Sequence, residues 1–311
     1  MSRVIASASV VDARVGRRAF VACAPVAVTL GGRRAGAMSS LEEAVARGDF
    51  PKRVFASSRA RATAYPAWLE GEWIERVDFG GATFPDARFD FARLSRAAET
   101  PGFQRLSVAR TPDVGRERTT EHRVRFARRE GQGVVEDREF NMREVMEAYL
   151  GPESVESVTT DGDDRMTIRL TRGASPNAER IELFTNAREN ETAKDGTFYA
   201  SESVRQVALG YGTEYGTARM SPTDYEHIWT FTPLPDVGAG AVDFRAVNRV
   251  SVKMITAAYL QPNDALRLTA SASANPRGAP VPQVLDAGSL AFEPVVLYTH
   301  IALLERVGCV P

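Results

Sequence analysis

The strongest constraint on this fold is a period of two that recurs along most of the chain. Trp73, Val77 and Phe79 fall on one face of an alternating stretch, with Arg76 and Asp78 on the other. His122, Val124 and Phe126 alternate with Arg123 and Arg125, and Met166, Ile168 and Leu170 alternate with Arg165, Thr167 and Arg169. Such patterns mark half-buried antiparallel strands. Further strands are predicted near 103–109, 133–140, 154–160, 179–187, 198–209, 224–233, 246–260 and 294–307. One short helix interrupts them: in NMREVMEAYLG, Asn141 is placed to cap, Met142, Val145, Met146 and Tyr149 recur at helical spacing, and Gly151 can end the turn. The rest has neither strand–helix alternation nor a repeat, so the expected fold is all-β, an antiparallel barrel or sandwich of about ten strands with one inserted helix. Residues 270–289, rich in Ala and Ser with Pro276, Pro280 and Pro282, read as a loose loop before the last strand.

The N-terminus follows another logic. Residues 1–37 carry six Arg and one acid, Asp12. Arg17-Arg18, an apolar run from Ala19 to Leu30, and the small-residue site Ala35-Gly36-Ala37 follow the layout of a twin-arginine export signal, with Arg17, Arg18, Ala35 and Ala37 as its targeting residues. The apolar run is shorter than the ~20 residues of a membrane-spanning helix. The acid-poor start before it suits a plastid transit peptide or a bacterial n-region. Cleavage would leave Cys309 as the only cysteine, which excludes an internal disulfide. The expected organisation is an export signal over 1–37, a helical or irregular leader over 38–63 and a β-barrel domain over 64–309. Without the signal, 33 basic and 39 acidic side chains remain, a balance that argues against nucleic acid as a partner.

Familiar reaction motifs are missing. His122, His227 and His300 are far apart in sequence and show no metal-ligand spacing, so no metal is expected. No nucleophile elbow occurs, and Gly210, Gly212 and Gly216 lack the strand-to-helix context of a nucleotide fingerprint, so no nucleotide cofactor is expected either. Each His lies on the apolar face of its strand, and in a closed barrel all three could point into one cavity. Tyr225, His227, Trp229 and Phe231 form one stripe, and Tyr298 and His300 another. Such stripes either fill a barrel core or line a ligand cavity; for the latter the candidates are Phe126, His227, Trp229, Phe231, Tyr298 and His300.

Gly71-Glu72-Trp73, at the opening of the first strand, resembles the signature of lipocalin-like (calycin) barrels, in which the Trp crosses the closed end and an Arg of the last strand covers it. In PVVLYTHIALLERV that Arg would be Arg306, so Gly71, Trp73 and Arg306 are the expected barrel floor. YPAWLEGEW, FARREGQGVVEDREFNMREVMEAYLG, TFYASESVRQV, AAYLQPND and VVLYTHIALLERV, in this order, resemble an uncharacterised domain family of cyanobacteria and plastids over about residues 64–308. That resemblance implies a barrel-like fold and a thylakoid-lumen location, with a bacterial periplasm or cyanobacterial lumen as the alternative, and it carries no established reaction. The function expected is non-catalytic binding of a small apolar molecule (a lipid, carotenoid or tetrapyrrole), with no transmembrane segment in the mature chain. The alternative is an accessory factor for photosystem assembly or stability that acts through its outer surface.

Overall fold

The computed structural model describes residues 40–53, 61–95, 100–112, 114, 119–176, 178–212, 218–235, 242–244, 246–266 and 290–308. The expected export signal over 1–37, Cys309 and the stretch 270–289 lie outside these residues. The strands are β1 (Gly71–Thr83), β2 (Thr120–Arg129), β3 (Gly133–Glu136), β4 (Val155–Asp161), β5 (Arg165–Leu170), β6 (Arg180–Thr192), β7 (Phe198–Gly212), β8 (Ala218–Leu234), β9 (Arg249–Tyr259) and β10 (Val296–Arg306). Helices α1 (Leu41–Arg47), α2 (Phe91–Leu94) and α3 (Arg138–Leu150) accompany them. No described helix is long and apolar enough to cross a membrane.

All ten strands belong to one antiparallel sheet in the order β3-β2-β1-β10-β9-β8-β7-β6-β5-β4, curled into a half-barrel. This corrects the expectation of a closed barrel: β3 and β4 are the two ends and do not pair with each other. The reason is local. After four residues of β3 the chain turns into α3, which packs against both β2 and β4. Glu139 Oε1 accepts the edge N–H of Thr160 at 2.8 Å, and Arg143 donates to the carbonyl of Val155 at 2.8 Å. On the other side Asn141 Oδ1 accepts from Arg125 N at 2.7 Å, and its amide donates back to Arg125 O at 3.1 Å. Side chains thus satisfy backbone groups that a neighbouring strand would otherwise have paired, which also shields both edges from other chains. Two sequence expectations change with it. Asn141 is no cap, since α3 starts at Arg138, and residues 137–140 of the expected strand 133–140 belong to the helix and its cap. Gly151 does end the helix, its N–H bonded to Glu147 O.

The expected strand 103–109 is absent as well. Leu106 has φ +65°, and its N–H bonds to Pro112 O at 2.9 Å, so the backbone cannot stay extended. Residues 100–112 instead form an irregular segment in which Leu106, Val108 and Ala109 are buried. Buried irregular backbone needs partners. Gln206 supplies them, accepting from Ala109 N at 2.9 Å and donating to Leu106 O at 2.6 Å, while the Thr223 hydroxyl donates to Ser107 O at 2.9 Å. On the opposite face of the sheet, residues 40–53 pack Ala44, Val45 and Phe50 over Ile228, Ile255 and Tyr259. Lys52 pairs there with Asp224 at 2.5 Å and Arg53 with Glu226 at 3.1 Å.

Candidate functional site

One end of the interior is a packed floor. Trp73 is fully buried, its indole N–H donates to Leu69 O at 2.8 Å, and the Arg306 guanidinium lies 4.1 Å from the centre of its ring. Arg306 also donates to the carbonyls of Trp68, Glu70 and Val247 at 2.7–2.9 Å. Gly71, at φ +130°, leaves room for this: a Cβ there would stand 2.6 Å from Arg306 Nη1. Phe126, Trp229 and Phe231 belong to the same apolar cluster as Trp73, together with Phe198 and Val252. Tyr298 belongs to a different cluster and donates its hydroxyl to Pro101 O at 2.8 Å.

Beside the floor the interior becomes polar. Glu75 on β1 stands directly opposite His122 on β2, and their side chains meet at 3.0 Å, Oε2 to Nε2. Burial alone would raise the Glu75 carboxyl, but the hydrogen bond to His122, aided by the charge of Arg110, outweighs it and holds the group below the usual carboxylate range. From the irregular segment comes Arg110, bonded to Glu136 at 2.5 Å with its guanidinium 5.3 Å from the Trp229 ring centre. Burial opposes the Arg110 charge, and Glu136 and Glu202 more than restore it. Glu202 accepts from Arg188 at 2.7 Å and Thr185 at 2.6 Å, so despite burial its carboxyl stays far below the ordinary range.

These groups border a cavity of about 30 Å³ lined by Glu75, Arg110, Thr111, His122, Trp229 and His300. It has room for about two waters or an organic molecule of a few heavy atoms. Thr111 Oγ1, His122 Nδ1 and His300 Nδ1, on residues lining it, are buried without a hydrogen-bond partner among the described residues. Burial pushes His300 down to about 4, with Glu75 opposing, so its ring is neutral at pH 7. His227 faces an adjoining cavity of about 20 Å³ with Arg138, Glu202 and Tyr225. Its Nδ1 lies 2.9 Å from Thr256 Oγ1, and burial, then the charge of Arg110, pushes it down to about 3. Among the described residues no group of His, Cys, Asp and Glu is arranged to hold a metal ion.

The sequence profile of a family described as Domain of unknown function (DUF6816) matches residues 59–284. The chain belongs to the DUF6816 family. No curated protein and no solved structure matches the chain. Of the residues singled out in the sequence of this DUF6816 protein, Trp229 and His300 line the main cavity, His227 lines its neighbour, and Phe126, Phe231 and Tyr298 line neither. Glu75, Arg110, Thr111 and His122 complete the polar wall; of these only His122 was singled out, as one of three histidines able to point into one cavity. Glu75 did leave a trace, as a carboxylate between Trp73 and Val77 on the inward face of β1. Arg110 and Thr111 left none, because an irregular segment brings them in.

Proposed function

We propose that this DUF6816 protein binds a small molecule in the cavity bounded by Glu75, His122 and His300, and that the occupant is a hydrogen-bond donor with a short apolar part. The observation that carries this reading is the convergence of Thr111 Oγ1, His122 Nδ1 and His300 Nδ1, all buried and unpartnered, on residues lining one cavity. Leaving a buried polar group unsatisfied costs about 1–3 kcal/mol, so three around one space favour an occupant that satisfies them. The donor character follows from the acceptors present, a carboxylate and imidazole nitrogens. Trp229, Val252 and Met254 supply the apolar side.

A lipid, carotenoid or tetrapyrrole, the classes suggested by a place beside photosynthetic membranes, needs a pocket on the order of 300 Å³ or more. The cavity of about 30 Å³ supports a smaller occupant. Location in a thylakoid lumen, or in a bacterial periplasm or cyanobacterial lumen, remains part of the proposal and rests on residues 1–37. Titrating ¹⁵N-labelled protein with ethanol, glycerol or methylamine tests the binding. The imidazole resonances of His122 and His300 should move with saturation; unchanged resonances with all three compounds would defeat the reading. A second reading, a surface that docks a partner, is supported by Phe91, 66% exposed and stacked on Phe103 at 4.9 Å. Loss of a co-purifying partner on Phe91→Ser would favour it.

A further inference from the structure

Glu75 and His122 have a geometry beyond what binding needs. They are a cross-strand pair fixed by the β1–β2 register, 3.0 Å apart. Glu75 is held below the usual carboxylate range and its Oε2 accepts from His122 Nε2–H; in the tautomer with that proton, Nδ1 carries the ring's lone pair. That nitrogen is buried, has no partner among the described residues, and belongs to a ring that lines the cavity. A carboxylate that orients an imidazole and stabilises its protonated form, with the other nitrogen free in a pocket, is the arrangement a general base requires. The same wall offers hydrogen-bond donors from the Thr111 hydroxyl and the Arg110 guanidinium. The titratable groups facing the pair are Arg110 from the irregular segment, Tyr149 from α3 and His300 from β10.

We propose that Glu75 and His122 form a general-base dyad that activates a water molecule against a small carbonyl compound held in the same cavity. The inference rests on the cavity being a ligand site, with the water as the hydrogen-bond donor to its acceptors and the carbonyl compound as the apolar-bearing partner. In the step, a water O–H proton passes to His122 Nδ1 while the water oxygen bonds to the carbonyl carbon. The π pair of the C=O bond moves onto the carbonyl oxygen, steadied by Thr111 and Arg110, and this oxygen then takes the proton back from His122. Aldehyde plus water gives the geminal diol; nothing is oxidised or reduced and the base is regenerated. The cavity volume limits the substrate to a few heavy atoms, which makes acetaldehyde a fitting probe.

The test follows exchange of the acetaldehyde oxygen with H₂¹⁸O in the presence of the full-length chain. General-base catalysis contributes about 10²–10⁴-fold, so wild type should exceed buffer by at least about tenfold, with a rate that rises with pH as general-base catalysis requires. Glu75→Gln, which keeps the shape and removes the charge, should lose most of the acceleration, and His122→Gln all of it. His227→Gln, an imidazole lost from the neighbouring cavity, should retain it. Exchange no faster than buffer, a pH-independent rate, or full acceleration in folded Glu75→Gln or His122→Gln would overturn the dyad. The wild-type rate and its pH profile decide even if the variants fail to fold. Acetaldehyde-induced shifts of the His122 and His300 resonances without acceleration would overturn the dyad and leave the binding reading standing; neither shift nor acceleration would overturn the dyad, and the titration with ethanol, glycerol and methylamine then decides the binding reading separately.

Discussion

The floor and the polar chamber lie in the same curled sheet and are built from the same inward-facing positions, yet they treat polar atoms in opposite ways. At the floor, the guanidinium of Arg306 reaches three backbone carbonyls and stacks on Trp73, and the Trp73 N–H has its own acceptor. In the chamber, Thr111 Oγ1, His122 Nδ1 and His300 Nδ1 are as deeply buried and have no partner among the described residues. A satisfied buried network fixes structure, whereas an unsatisfied one marks a place for an occupant. The difference therefore separates the part of the interior that holds the sheet together from the part available for function.

The largest effect expected is at the floor. Trp73→Ala deletes a fully buried ring and should cost about 3–5 kcal/mol in denaturant unfolding. Arg306→Ala should cost less, and the double variant should fall short of the sum, because the two side chains touch. Additive losses would break the pairing at the floor.

Next comes acid. The folded His300 ring, pushed down to about 4, stays neutral while the unfolded chain takes up a proton below about 6.5, so stability falls as pH drops through that interval. His300 alone should contribute a loss of about 3 kcal/mol between pH 6.5 and 4. His227 acts in the same direction. Glu75 and Glu202, held below the ordinary carboxylate range, add stability at neutral pH that disappears once they protonate. Unfolding free energies across pH 4–7 should show this slope and a shallower one for His300→Gln; identical slopes would mean that His300 is not buried neutral.

The smallest effect is the sharpest contrast. Thr223→Val removes a hydroxyl that is bonded to Ser107 O, strands that carbonyl, and should cost about 1–2 kcal/mol. Thr111→Val makes the same change at an unpartnered hydroxyl and should be close to neutral without ligand. Equal costs in thermal melts would erase the distinction between the two kinds of site.

Legibility in the sequence follows the same division. Strands β1, β2 and β4 to β10 were expected near their observed ranges, because each carries its own inward and outward faces. The pairing of Trp73 with Arg306 was expected only from the resemblance of Gly71-Glu72-Trp73 to the calycin signature, and the two side chains stand 4.1 Å apart, guanidinium to ring centre. What stayed hidden depends on distant partners. Asn141 looks like a cap until the unpaired edge of β2 is beside it, and 103–109 looks like a strand until Gln206 and Pro112 claim its backbone groups. Arg110 and Thr111 travel with that segment, so the chamber could not be assembled from periodicity. The open seam was equally invisible: alternation tells which face a residue takes, and says nothing of whether the last strand meets the first.

The measurement that bears most directly on the chamber is native mass spectrometry of the protein purified from its own source, paired with ¹⁵N imidazole spectra before and after mild denaturation and refolding. A discrete small-molecule increment, lost on refolding together with shifts at His122 and His300 and none at His227, is the result expected. An intact mass equal to that of the bare chain, with imidazole spectra unchanged by refolding, would contradict the claim that the unpartnered atoms mark a ligand site.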